Sequence, residues 1–163
     1  LRSEAAARGI APARLVFAPR MALADHLARH RLADLFLDTL PCNAHTTASD
    51  ALWAGLPVIT CRGPTFPGRV AGSLLCAAGL PELITDTLED YEALALKLAT
   101  TPALLSELRS KLARNKSTHP LFDSERFRRH IESAYVTMYD RWSRGEAPES
   151  FAVTELSRPT TEF

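Results

Sequence analysis

The side chains in this sequence that are best suited to chemistry lie close together at positions 45–50. His45 is followed by Thr46 and Thr47, and Asp50 lies one helical turn further on. An imidazole, two hydroxyls and a carboxylate can together hydrogen-bond the phosphate and the hydroxyl groups of one ligand. The segment is therefore a candidate site for a phosphorylated ligand that also carries hydroxyl groups.

The flanking sequence indicates which elements would position these side chains. Residues 35–37 form a short apolar run typical of a buried strand, and residues 46–54 have a helical pattern. A helix that begins after a strand and a polar loop presents free N–H groups and the positive end of its dipole, which favours a phosphate. A structural alternative stays open, because Thr47 and Asp50 have the spacing of a capping box, with Asp in place of Glu or Gln.

Along the whole chain, strand and helix patterns alternate before the pattern becomes purely helical. Strands are predicted at residues 15–17, 35–37, 58–60 and 83–84, and helices at 23–31, 46–54, 69–78, 88–99, 102–115 and 124–142. Strands separated by helices favour a parallel sheet with right-handed crossovers. We therefore predict an α/β fold, a Rossmann-like parallel sheet with flanking helices. In the last helix, an apolar stripe typical of core packing is formed by Phe127, Ile131, Tyr135, Met138 and Trp142.

Composition limits the function classes. The 19 Lys and Arg residues balance 19 Asp and Glu residues, so binding to nucleic acid is not expected. No apolar run reaches the ~20 residues that a bilayer span needs, and the first residues lack a signal-peptide hydrophobic region. Reduced thiols and a cytoplasmic location are favoured over a disulfide framework or a metal site, since no Cys-x-x-Cys spacing connects Cys42, Cys61 and Cys76.

Three longer runs are specific rather than compositional: residues 32–39 (LADLFLDT), 42–47 (CNAHTT) and 50–57 (DALWAGLP). Together with shorter matches as far as about Trp142, they resemble the O-linked N-acetylglucosamine (O-GlcNAc) transferase family, and we expect a bacterial homologue. The resemblance implies the second half of a GT-B glycosyltransferase. Residues 1–122 would be part of a nucleotide-sugar-binding domain, 123–143 a C-terminal helix packed on it, and 144–163 a mobile tail.

The resemblance also implies an activity, the inverting transfer of N-acetylglucosamine from UDP-GlcNAc to protein Ser or Thr hydroxyls, without a cofactor. Thr46 and Thr47 would hold the diphosphate. His45 would be the catalytic residue, close to the sugar-bearing phosphate. Asp50 would accept hydrogen bonds from the ribose hydroxyls.

By the same resemblance, the loop that precedes the first long helix would hold the uracil ring. The Met21 backbone would lie at the base edge and His26 would pack on the ring, with Arg29 as a further substrate contact. Without the resemblance, His26 and Arg29 indicate only a solvated helix face. The family usually has Lys two positions after Met21, where this sequence has Leu23.

The resemblance implies partners that this chain does not contain. We expect a preceding catalytic domain with the acceptor site, a general base and a phosphate-binding Lys, and tetratricopeptide repeats beyond it. The 163-residue chain alone is therefore expected to be inactive. Two other functions stay open: a non-catalytic nucleotide-sugar scaffold or sensor, and a relative that uses UDP-glucose.

Overall fold

A small parallel sheet lies at the centre of the computed structural model, which describes residues 1–154. In this part of the chain the strand order is β1-β2-β3, with β1 at Phe36–Leu37, β2 at Val58–Cys61 and β3 at Ile84–Thr85. Both neighbouring pairs are parallel. The predicted strands at 35–37, 58–60 and 83–84 are confirmed, with differences of one residue at their ends.

Helices connect the strands and then follow one another to the end of the described chain. Their bounds are α1 (Arg2–Ala7), α2 (Leu23–Arg29), α3 (Thr46–Trp53), α4 (Val70–Ala77), α5 (Leu88–Thr100), α6 (Pro102–Thr118) and α7 (Ser124–Ser143). Because α3 joins β1 to β2 and α4 joins β2 to β3, the architecture is the predicted α/β arrangement. None of the described helices is long and apolar enough to cross a membrane.

The core is built around β2, which is buried along its whole length. Helices α3, α4 and α5 all contact this strand, which explains why its sequence is a continuous apolar run rather than an alternating one. Each fully buried Leu or Ile side chain contributes about 1.5–3 kcal/mol. The largest buried side chains around the strand are Leu52, Ile59, Leu75, Leu80, Leu83, Leu98 and Leu112.

The strand predicted at residues 15–17 does not form, so that prediction was wrong. These residues are irregular, and Val16 is 88% exposed. The Phe17 ring is partly covered by the Arg2 guanidinium, which lies 4.9 Å from the ring centre. A strand needs a hydrogen-bonded neighbour, and the described chain gives this segment none.

Side chains from the end of α6 pack closely against the end of α4. Gly79 has a φ of +71°, and a Cβ there would lie 2.2 Å from the His119 ring. The Asn115 side chain donates to the Ala78 carbonyl at 2.9 Å. Helix α6 therefore caps α4, and this position requires glycine both for its backbone angle and for the space.

Helix α7 does not bury the apolar stripe that the sequence predicted as core. No residue of this helix is buried, and the stripe includes Phe127 at 67% and Trp142 at 72% exposure. Arg141, in the last turn of the helix, pairs with Glu146 and Glu149 beyond it. The mobility predicted for residues 144–163 stays a prediction, and residues 155–163 lie outside the described part of the chain.

Candidate functional site

The first turn of α3 is not capped by a side chain. His45 occupies the N-cap position, and no side chain accepts a hydrogen bond from the first turn. Thr46 and Thr47 are exposed, so the capping box that Thr47 and Asp50 could have formed is absent. The first-turn N–H groups and the two hydroxyls are therefore presented to solvent, where an anion could accept from them.

Three small or apolar residues hold this helix in place. Ala48, Ala51 and Leu52 are completely buried against the sheet, and the chain enters α3 from β1 through a single loop. Since the opposite side of the first turn carries the exposed threonines, one face of the helix is fixed and the other is available to a ligand.

The loop between β1 and α3 is organised by Asp38, a residue whose role the sequence analysis missed. This residue is 5% exposed, and its carboxylate accepts hydrogen bonds from the backbone N–H groups of Thr39 at 2.8 Å and Ala44 at 2.6 Å. The Thr60 hydroxyl of β2 donates to its second oxygen at 2.6 Å. The available signal was a carboxylate directly after an apolar strand.

Tyr91 of α5 completes this arrangement. Its hydroxyl donates to the backbone carbonyl of Asp38 at 2.8 Å. Burial, together with the nearby negative charge of Asp38, raises the pKa of Tyr91 to about 12. The phenol is therefore a neutral donor at physiological pH.

The loop after β2 contacts the loop after β1. Asn43 donates its backbone N–H to the Pro67 carbonyl at 2.9 Å, and the His45 Nε2 atom lies 3.4 Å from the same oxygen. The His45 and Phe66 rings meet edge to face with centres 6.4 Å apart. Residues 63–68 thus form one wall beside His45.

Two glycines permit close backbone contacts here, Gly63 with Gly68 inside the loop after β2 and Gly68 with Pro41 of the loop after β1. Gly63 donates to the Gly68 carbonyl at 2.7 Å. A Cβ at Gly68 would lie 3.1 Å from both the Gly63 Cα and the Pro41 carbonyl oxygen. The backbones approach too closely here for a larger residue to be accommodated without a shift.

A recess lies at the loop before α2. It has a volume of about 510 Å³ and is lined by Ala18, Pro19, Arg20, Met21, Leu23, His26 and Arg29. Arg29 donates to the Pro19 carbonyl at 3.1 Å, which holds the loop over the helix. The three residues predicted to bind the uridine end of the donor therefore line one recess, although the segment before it is not a strand.

A contact between two polar side chains connects this recess to α3. The His26 Nε2 atom lies 3.7 Å from the Asp50 carboxylate, and both side chains are mostly buried. Behind His26, the buried His30 has its Nδ1 atom 2.8 Å from the His26 carbonyl oxygen. The structure thus brings together two predicted site residues, His26 and Asp50, that are 24 positions apart in sequence.

Comparison with known proteins identifies the family. The profile described as Glycosyl transferase family 41 matches residues 1–131. The chain belongs to glycosyltransferase family 41. The predicted resemblance to O-GlcNAc transferases is thereby confirmed.

Named relatives of this family 41 chain are much longer proteins. The probable UDP-N-acetylglucosamine–peptide N-acetylglucosaminyltransferase SEC of Arabidopsis thaliana is 40% identical over 94% of this chain and 16% of its own length. The UDP-N-acetylglucosamine–peptide N-acetylglucosaminyltransferase of Caenorhabditis elegans is 36% identical over 89% of this chain and 13% of its own. The chain therefore spans less than a fifth of either relative.

A solved structure confirms the fold of this family 41 chain. A mutant of the Thermobaculum terrenum O-GlcNAc transferase superimposes with a TM-score of 0.78 at 35% identity. The match covers 90% of this chain and 28% of that chain. The predicted Rossmann-like sheet, as part of a larger glycosyltransferase, is confirmed by this similarity.

Proposed function

We propose that this chain is the donor-binding part of an inverting glycosyltransferase that moves N-acetylglucosamine from UDP-GlcNAc to protein Ser or Thr hydroxyls. The observation that carries the proposal is the open first turn of α3 behind His45, with Thr46 and Thr47 exposed. The names of the family 41 relatives supply the donor and the acceptor class.

In this proposal the diphosphate of the donor lies at the beginning of α3. The first-turn N–H groups and the hydroxyls of Thr46 and Thr47 donate to its oxygens. Each hydrogen bond to a charged oxygen contributes roughly 1.5–3 kcal/mol. Because these donors are held in place before the reaction, they stabilise the charge that develops on the departing UDP.

The uridine would extend from this point into the recess before α2. Met21 and His26 then contact the uracil ring, and Arg29 contributes a nearby positive charge. Asp50 accepts from the ribose hydroxyls, and its contact with His26 would orient the carboxylate toward the ribose and away from the phosphates. This placement avoids the repulsion between a carboxylate and a diphosphate.

The chemical step breaks the bond between the anomeric carbon and the β-phosphate oxygen and forms a bond to the acceptor hydroxyl oxygen. His45 borders the sugar-bearing phosphate, between α3 and the loop of residues 63–68. We assign the acceptor site and the base that takes the hydroxyl proton to other parts of the full-length protein, together with any tetratricopeptide repeats. The free cysteines fit a reducing, cytoplasmic location.

One observation favours a non-catalytic nucleotide-sugar sensor as a second candidate. Leu23, in place of the family's usual Lys, is 67% exposed and lines the recess. A cation that could contact ribose or phosphate is therefore replaced by an apolar side chain. A sensor would bind UDP-GlcNAc without transferring the sugar.

The test measures sugar transfer and UDP binding by the full-length protein. We expect transfer from UDP-GlcNAc to an acceptor peptide, transfer reduced by at least about a hundredfold in His45→Ala, and UDP binding by both proteins in calorimetry. His130→Ala on α7 is the matched histidine control and should transfer normally. UDP binding with equally poor transfer by wild type and His45→Ala would establish the sensor, and preferential use of UDP-glucose would reassign the donor.

A further inference from the structure

The carboxylate of Asp38 connects both ends of the loop that carries His45. One oxygen accepts from Thr39 at the start of the loop and from Ala44 at its end. Inside the loop, the Thr39 hydroxyl donates to the Cys42 carbonyl at 2.9 Å and the Asn43 side chain donates to the Thr39 carbonyl at 3.1 Å. Both ends of the loop are therefore bound to a single buried carboxyl group.

Asp38 is also hydrogen-bonded to two further elements, β2 and α5. The Thr60 hydroxyl of β2 donates to the Asp38 carboxylate at 2.6 Å, and Thr60 itself is fully buried. Tyr91 of α5 donates to the Asp38 carbonyl. A buried polar group is costly unless hydrogen bonds satisfy it, and the donors from Thr39, Ala44 and Thr60 satisfy both oxygens of this carboxylate.

The position of Ala44 gives this network a consequence for the site. Ala44 directly precedes His45, the N-cap of α3. When Asp38 holds the Ala44 N–H, it fixes the backbone from which the His45 side chain and the first-turn N–H groups project. It also occupies the Ala44 N–H, which is therefore not available to a ligand.

We infer that Asp38, held by Thr60, is a positioning residue that aligns His45 and the first turn of α3 with the donor diphosphate. The inference rests on the proposed function, because Asp38 would position the residues of the proposed diphosphate site. Asp38 itself, at 5% exposure, is too deeply buried to contact the ligand. Its effect on binding passes through the Ala44 backbone.

A matched pair of variants separates positioning from general stability. Thr60→Val removes the hydroxyl that donates to Asp38. Thr85→Val removes a hydroxyl on β3 that donates to the Thr60 carbonyl at 3.1 Å, at the same edge of the sheet but without a bond to Asp38. Each substitution preserves side-chain shape and deletes one hydrogen bond.

In the full-length protein, we expect Thr60→Val to weaken UDP binding by about tenfold, and Thr85→Val to change it by less than about twofold. Amide exchange at Ala44 should become faster in Thr60→Val only. Asp38→Asn keeps an acceptor for the Ala44 N–H, so it should retain more UDP binding than Asp38→Ala. Thermal unfolding of every variant reports the stability loss separately.

The outcomes distinguish the inference from the function on which it rests. If wild type fails to bind UDP, the proposed function fails, and with it any role of Asp38 toward that ligand. If wild type binds UDP but the two threonine variants lose affinity equally, only the positioning role is overturned. Unchanged Ala44 exchange in Thr60→Val, or equal binding by the two Asp38 variants, also overturns it.

Discussion

His26 of α2 and Asp50 of α3 face each other across 3.7 Å, and this contact joins the two helices. The two side chains are only 22% and 24% exposed, so solvent screens their interaction less than that of a surface pair. A ligand that spans the recess and the beginning of α3 would meet both residues. Their contact is thus a physical link between the two halves of the proposed site.

This contact predicts that His26 and Asp50 act on UDP binding as one unit. His26→Ala and Asp50→Ala should each weaken binding, and the double variant should lose less than the sum, with a coupling of roughly 0.5–1 kcal/mol. Calorimetry of the four proteins measures this coupling. Asp50→Ala combined with His130→Ala is the control and should be additive. Additive losses for the His26 pair would show that the contact does not matter for the ligand.

The open first turn of α3 predicts that its threonines serve binding rather than stability. Thr46→Val and Thr47→Val should each weaken UDP binding by roughly 1.5–3 kcal/mol, about tenfold to a hundredfold. Neither should lower the unfolding temperature appreciably, since neither side chain caps the helix. Thermal unfolding and calorimetry check the two statements.

Thr87 provides the contrasting variant. Its hydroxyl caps α5 by accepting the Asp90 N–H at 3.1 Å. Thr87→Val should therefore cost about 1 kcal/mol of stability and leave UDP binding unchanged. If Thr46→Val and Thr47→Val behave like Thr87→Val, their hydroxyls are structural and the proposed diphosphate site is wrong.

The two glycines at the ends of α3 and α4 should differ in their response to alanine. Gly55 has a φ of +86° and no atom within 4 Å of the place where a Cβ would lie, whereas a Cβ at Gly79 would lie 2.2 Å from His119. Gly55→Ala should cost about 1 kcal/mol for its backbone angle alone. Gly79→Ala should cost about 1–3 kcal/mol more because of the overlap.

Denaturant unfolding of both variants measures this difference. His119→Ala in the Gly79→Ala background should recover part of the additional loss, because it removes the overlapping ring. Equal losses for the two glycine variants, or no recovery with His119→Ala, would contradict the packing at the end of α4.

Tyr91 predicts a loss of stability at high pH. Its pKa rises from 10.0 to about 12 in the folded protein, so the folded state favours the neutral phenol. Stability should be unaffected below pH 10 and should fall as the pH rises from 10 to about 12, where the unfolded chain loses the proton first. Denaturant unfolding across this range, with Tyr91→Phe as control, measures the effect. An identical pH dependence in the variant would refute this assignment.

The fold follows from the sequence where the signals are local. The apolar run of β2, Gly55 after α3 and Gly79 after α4 indicate where elements begin and end. Residues 15–17 have an equally apolar pattern, but strand formation depends on a neighbour that the pattern does not contain. The same applies to Phe127 and Trp142, whose spacing predicts an apolar face without saying what covers it.

The candidate site was predictable only in part, for a related reason. His45, Thr46 and Thr47 could be placed at a helix N-terminus because strand, loop and helix are consecutive in the sequence. Asp38 was missed because its Thr60 and Tyr91 partners are 22 and 53 positions away. The contact of His26 with Asp50 is likewise invisible in a local pattern, since the two residues lie on different helices 24 positions apart in sequence.

The exposed aromatic face of α7 bears on how the chain behaves when purified alone. Phe127, Tyr135, Tyr139 and Trp142 are each more than 60% exposed, and apolar patches of this kind promote association in water. We expect the 163-residue chain to aggregate at high concentration. Light scattering should increase with ionic strength, because salt screens the repulsion between charged surfaces. The 163-residue chain alone is therefore a poor reagent for crystallisation or affinity work. If such a reagent is needed, the exposed aromatic residues of α7 are the first to replace.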